Sequence, residues 1–169
     1  MAKNNHPTLF LLLFLAPMVA YADTPILQDA FSPNQGATQL VIKTIGEAKK
    51  TIRVAAYNFT SKPIGEALVE AQNSGVDVEV VLDKSQRTGR GSLYLFLKES
   101  GVPTRINEKY HIMHDKFMLI DGKTLETGSF NYTKSAEENN AENVLVVRRN
   151  RKVDEDYASQ WEKLWAEAE

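Results

Sequence analysis

Among the 169 residues of this chain, His114 and Lys116 have the plainest chemical potential. They stand at the head of a strand-forming run, Lys-Phe-Met-Leu-Ile over 116–120. Side chains two residues apart on a strand point to one face. An imidazole beside an ammonium suits an anionic phosphate, since the lysine neutralises charge while the imidazole attacks or transfers a proton. Asp121 comes five residues after Lys116, an odd spacing that turns it to the opposite face. A turn or a structural salt bridge is therefore expected of it. Gly128-Ser129-Phe130-Asn131 follows. The glycine suits a place where backbone comes close to a ligand. The Ser129 hydroxyl and Asn131 amide can hold non-bridging phosphate oxygens.

Other chemistries compete for the same residues. His111-x-x-His114 with Asp115 resembles a metal pair, but positions three apart on a strand face opposite ways and converge poorly on one ion. His111 is instead expected to be exposed or to line a groove. Asp83 ends a strand and is read as a cap for the following turn rather than a metal carboxylate. Ser129 has no Gly-x-Ser-x-Gly elbow around it, so it is not read as a hydrolase nucleophile. The chain contains no cysteine, which excludes disulfides, thiolate metal sites and cysteine nucleophiles. A lysine and neutral donors, with no converging carboxylates, imply a phosphate site that takes its positive charge from Lys116 and a protonated histidine rather than from a metal.

The spacing His114-x-Lys116-x4-Asp121-x6-Gly128-Ser129-x-Asn131 resembles the signature of the phospholipase D superfamily, and in particular its small exported bacterial endonucleases with a single motif. Thr51-Ile52-Arg53, Ala56-Tyr57-Asn58-Phe59-Thr60 and Gly75-Val76-Asp77-Val78 extend the likeness over most of 30–165. It implies an α/β/α sandwich, a phosphohistidine intermediate and no cofactor. By the same likeness His114 is the nucleophile, and Lys116, Ser129 and Asn131 bind phosphate. Glu142 stands where these nucleases carry a carboxylate that holds the histidine ring, fixing its tautomer and aiming the other nitrogen at phosphorus. His111 is an addition to the family pattern.

The elements needed to position these groups can be read from hydrophobic period. Helices are expected over 37–50, 63–73, 91–100 and 153–168, and strands over 51–57, 76–82, 102–106, 116–120 and 142–149. Residues 125–127 are expected to pair with 116–120 through an Asp121-Gly122 turn. Strands separated by helices indicate an α/β domain, with a mixed, mostly parallel central sheet. Ahead of it, Lys3, the apolar run Leu9 to Ala16, Pro17 and Ala20-Tyr21-Ala22 form a secretory signal pattern. The run is too short for a membrane span of ~20 apolar residues. The expected organisation is a signal over 1–22, cleaved to leave Asp23 first, and a catalytic domain over 23–169.

The formal net charge of −2 is unlike that of a sequence-independent nucleic-acid coat, so nucleic-acid contact must come from a local basic patch. Lys84, Arg87 and Arg90, with Lys109, are either a phosphate-backbone clamp or a solvated loop. Arg148, Arg149, Arg151 and Lys152 read as a solvated edge. Tyr57 and Phe59 either stack on bases or pack in the core. The expected function is a nonspecific endonuclease of DNA, with RNA a further substrate. A lipid phosphodiesterase is the alternative, and a silent nucleic-acid-binding module is disfavoured because every motif position is kept. The leaving alkoxide needs an acid opposite the nucleophile. Since 23–169 contains only His111 and His114, a twofold homodimer sharing one site is expected to supply the second imidazole.

Overall fold

The computed structural model describes residue 1 and residues 24–169. Apart from Met1, the expected signal over 1–22 and its cleavage point at Asp23 lie outside the described residues. One seven-stranded sheet organises the rest, in the order β1-β7-β6-β5-β2-β3-β4. Its strands are β1 (Ile26–Ser32), β2 (Thr51–Ala56), β3 (Asp77–Asp83), β4 (Thr104–Asn107), β5 (Lys116–Ile120), β6 (Thr124–Gly128) and β7 (Glu142–Arg148). Helices α1 (Ala37–Gly46), α2 (Lys62–Asn73), α3 (Tyr94–Glu99) and α4 (Lys134–Glu138) pack on one face, and α5 (Arg151–Ala166) covers the other. This is the expected α/β/α sandwich.

The balance of pairings differs from the expected mostly parallel sheet. Only β2–β3 and β3–β4 pair in parallel, while β1–β7, β7–β6, β6–β5 and β5–β2 are antiparallel. Five strands still share one direction. The two reversed strands, β5 and β7, are interleaved among them and make every neighbour on that side antiparallel. Strand β1 escapes the periodicity reading because it is an edge strand with exposed Ile26, Leu27 and Phe31 and no clean alternation. It is held by pairing with β7, from Ile26 opposite Arg148 to Ser32 opposite Glu142.

Alternation along the buried strands separates two cores. Val54, Ala56, Val80, Met118, Val144 and Val146 face the helices α1 to α4. Ala55, Val81, Phe117, Leu125 and Val147 face α5, against Trp161 and Leu164. The Trp161 indole N–H reaches the Val54 carbonyl at 3.1 Å, so burying the ring leaves no polar group unpaired.

Helix α1 stops at Gly46, short of the expected residue 50, for a reason visible across the sheet. The Asp121 carboxylate accepts the backbone N–H groups of Lys49 (3.1 Å), Lys50 (2.7 Å) and Thr51 (3.0 Å), taking donors that a longer helix would use. Asp121 (φ 53) and Gly122 (φ 62) both occupy the left-handed region that a tight primed hairpin turn requires. Asp121 thus serves the structural role expected of it. Burial raises its carboxyl pKa, but the three backbone donors and Lys123 outweigh this and hold it below the usual aspartate value. Helix α5 begins at Arg151, two residues earlier than expected, because the Asn150 side chain caps it by accepting from Val153 N–H.

Candidate active site

His114, Lys116, Gly128, Ser129, Asn131 and Glu142 meet along one open cleft of about 470 Å³. It lies where β5 begins, β6 ends and β7 begins. Antiparallel pairing brings these three ends to the same side of the sheet. Asp121 lies at the other end of β5, with the β5–β6 turn.

Lys116 opens β5 opposite Ala56 of β2 and is buried. Its Nζ lies 2.7 Å from the His114 carbonyl oxygen and 3.3 Å from His114 Nδ1. Burial pulls the lysine pKa below its usual value, while Glu142 and Asp115 pull it the other way. The His114 ring is exposed to the cleft and packed against Tyr57, with ring centroids 4.6 Å apart. Two anchors hold the segment that carries it. Asp83 Oδ2 accepts Met113 N–H at 2.8 Å, and the Asp115 carbonyl accepts Tyr57 N–H at 3.1 Å. Asp83 also accepts Ser85 N–H at 2.9 Å, so it caps the following turn as expected and ties that turn to the histidine.

Gly128 permits the tight end of β6. A Cβ there would lie 2.1 Å from the Asn143 carbonyl oxygen, which accepts Ser129 N–H (3.1 Å) and Phe130 N–H (3.3 Å). No larger residue fits that approach without moving β7. The Ser129 hydroxyl donates to Glu142 Oε2 at 2.6 Å and accepts Asn143 N–H at 3.1 Å. Glu142 Oε1 accepts from Asn140 at 2.9 Å. The carboxylate is thus spent on Ser129 and Asn140, and it does not hold the His114 ring of its own chain. Asn131 Oδ1 is buried without a hydrogen-bond partner among the described residues.

Lys84, Arg87, Arg90, Lys109 and His111 lie outside the cleft lining, whereas Asp115 is part of it. Lys84 Nζ donates to the Tyr110 carbonyl at 3.0 Å. Arg87 pairs with Glu108 at 2.8 Å. Both contacts fasten the basic loop to the segment leading to His114, while Arg90 and Lys109 are exposed with no ion pair among the described residues. His111 is exposed. Asp115 accepts from Gln160 at 3.1 Å, on the side facing α5, and among the described residues no three His, Asp or Glu groups converge to hold an ion. Phe59 is buried in the core, whereas Tyr57 joins the site. Sequence reasoning did not find Glu126, which is buried on β6 with Tyr132 O–H donating to it at 2.6 Å. Nothing in Leu125-Glu126-Thr127 marks that carboxyl as buried.

A family profile described as cardiolipin synthase, PLD-like domain, matches residues 41–165. The chain belongs to the phospholipase D-like family. It is similar to a phospholipase D family member, Nuc, from Salmonella typhimurium, at 40% identity and a TM-score of 0.83, covering 86% of this chain and 97% of that one. It is 36% identical over 131 residues to a phospholipase D of Rickettsia prowazekii, covering 78% of this chain and 63% of the relative. A mitochondrial cardiolipin hydrolase of Chlamydomonas reinhardtii is 33% identical over 121 residues, covering 72% of this chain and 54% of the relative. The chain therefore spans less than two thirds of these two relatives. Its domain is a phosphodiesterase domain of the phospholipase D superfamily. Among the described residues no helix is long and apolar enough to cross a membrane.

Proposed function

We propose that the protein is an exported, nonspecific endonuclease that hydrolyses phosphodiester bonds of DNA, and of RNA by the same backbone chemistry, through a phosphohistidine and without metal. The observation that carries this reading is the juxtaposition of the His114 imidazole with the buried Lys116 ammonium in a cleft that also holds Ser129 and Asn131. Exposed Lys84 and Lys109 beside the histidine-bearing segment favour a polyanionic substrate. Export rests on the signal pattern of 1–22.

His114 attacks phosphorus, forming an N–P bond as the P–O bond to the leaving oxygen breaks. A second imidazole, opposite, protonates that oxygen. Water then cleaves the N–P bond and returns His114 to its starting state. Lys116 and the Asn131 amide hold the phosphoryl oxygens, and Ser129 fixes the floor of the site through Glu142 and Asn143.

The proposal includes a twofold dimer, and the hydrogen bonding of the single chain supports it. Attack through Nε2 needs the ring proton on Nδ1, a tautomer that a carboxylate at Nδ1 would enforce. In the single chain the group beside Nδ1 is the Lys116 ammonium, at 3.3 Å. Within the chain Glu142 is committed elsewhere. A closed twofold interface brings a second His114 and a second Glu142 to the cleft.

A lipid phosphodiesterase is the second reading. It is favoured by Ile112, which is 46% exposed only two residues before His114, and by the likeness to a Rickettsia phospholipase D and a Chlamydomonas cardiolipin hydrolase. Plasmid nicking measured beside release of choline from phosphatidylcholine, in excess EDTA, with wild type and His114→Asn, tests both. Nicking that survives EDTA and disappears in His114→Asn is the expected result. Choline release without nicking would replace the nuclease reading, and loss in EDTA restored by magnesium or zinc would end the metal-free mechanism.

A further inference from the structure

We propose that Tyr57 is a positioning residue for His114, its ring forming the wall that holds the imidazole in its attacking orientation. The proposal rests on the phosphodiesterase reading of the cleft. Tyr57 follows β2 directly, and its N–H continues the β2–β5 ladder by donating to the Asp115 carbonyl at 3.1 Å. That bond fixes the backbone on both sides of the contact, since Asp115 is joined to His114. The Tyr57 ring is half-buried and lies 4.6 Å from the imidazole centroid, with the planes tilted by 49°. The Lys116 ammonium stands 5.4 Å from the same ring. The same aromatic ring therefore stands beside both the histidine and the lysine that would handle phosphate.

The need for such a wall follows from what else touches the imidazole. Glu142 is spent on Ser129 and Asn140. The Lys116 contact at 3.3 Å is long and lies along one ring edge, which leaves rotation about the side-chain bonds open. Packing against Tyr57 restricts that rotation. Because in-line attack depends on ring angle, losing the wall costs turnover more than binding. The Tyr57 hydroxyl makes no hydrogen bond among the described residues, so the ring, not the hydroxyl, carries the role.

The test compares wild type, Tyr57→Phe and Tyr57→Leu on bis-para-nitrophenyl phosphate, a small phosphodiester that needs no nucleic-acid groove. Tyr57→Phe is expected to keep kcat within about twofold of wild type. Tyr57→Leu is expected to lower kcat about tenfold or more with KM within about twofold. In wild-type protein, proton NMR should show cross-relaxation between the Tyr57 and His114 rings. The His114 ring protons should lose their aromatic ring-current shift in the leucine variant. Tyr57→Met replaces Tyr57→Leu if circular dichroism shows that the latter does not fold. Unchanged kcat in a folded aliphatic variant, an equal loss in Tyr57→Phe, or no cross-relaxation in wild type would each overturn the proposal. A wild type inactive on every phosphodiester would sink the phosphodiesterase reading instead, while the NMR comparison would still judge the contact.

Discussion

Replacing Glu126 with glutamine isolates a buried ionisation beneath the site. Glu126 lies on β6 opposite Met118 and Val146, is 1% exposed, and accepts the Tyr132 hydroxyl at 2.6 Å. Burial pushes its carboxyl from 4.5 up to about 8, against the lowering effect of the Tyr132 hydrogen bond. Burial likewise drives the Tyr132 hydroxyl up, and the carboxylate adds to that effect. A carboxyl whose folded pKa exceeds its unfolded one stabilises the fold most below the unfolded value, and that contribution is lost as pH rises through the folded value. The window therefore runs from about pH 4.5 to about pH 8. At ~1.4 kcal/mol per unit the loss across it is on the order of 5 kcal/mol, a large share of the 5–15 kcal/mol typical of a domain. Glutamine keeps the shape and the acceptor oxygen but cannot ionise. Urea denaturation between pH 5 and 9 should show wild type and Glu126→Gln within about 1 kcal/mol at pH 5. The variant should be several kcal/mol more stable at the alkaline end, on the order of the difference already worked. Parallel curves, or a wild type that gains on the variant as pH rises, would refute the assignment of a neutral buried Glu126.

Asp121→Ala should destabilise the fold by about 2 kcal/mol at neutral pH, because backbone donors of Lys49, Lys50 and Thr51 lose a charged acceptor. As the folded pKa is depressed, that contribution is present above about pH 4 and fades as pH falls through the folded value, so urea midpoints of the two proteins should converge in acid. Gly128→Ala should cost about 3 kcal/mol or more in thermal melts, since its Cβ would lie 2.1 Å from the Asn143 oxygen; a neutral result would mean that β7 yields freely. If the site is shared, co-refolding equal amounts of wild-type and His114→Asn chains should leave about one quarter of wild-type nicking activity, whereas about one half would point to independent sites.

Much of the site was legible in the chain because it rests on local rules. His114 lies two residues ahead of Lys116, the first residue of β5, so close spacing alone set them together. Asp121-Gly122 carries its turn chemistry in two residues, and the odd spacing from Lys116 placed the carboxylate away from the cleft. Most helices and strands followed from periodicity, because each amphipathic face reports burial on its own element, but the five-residue α4 is too short to show one. The decisions left to tertiary structure depended on residues distant in sequence. Strand β1 exists because β7, more than a hundred residues later, offers it an edge, and the interleaving of β5 and β7 made most pairings antiparallel. Helix α1 was shortened by a carboxylate 71 residues beyond Lys50. Glu142 met Ser129 and Asn140 rather than its own His114, while Tyr57, weighed for base stacking or for the core, turned its ring to the imidazole. Side-chain type and spacing specify which groups can act. Which of them touch is set by sheet order and long-range hydrogen bonds, whose partners no local pattern encodes.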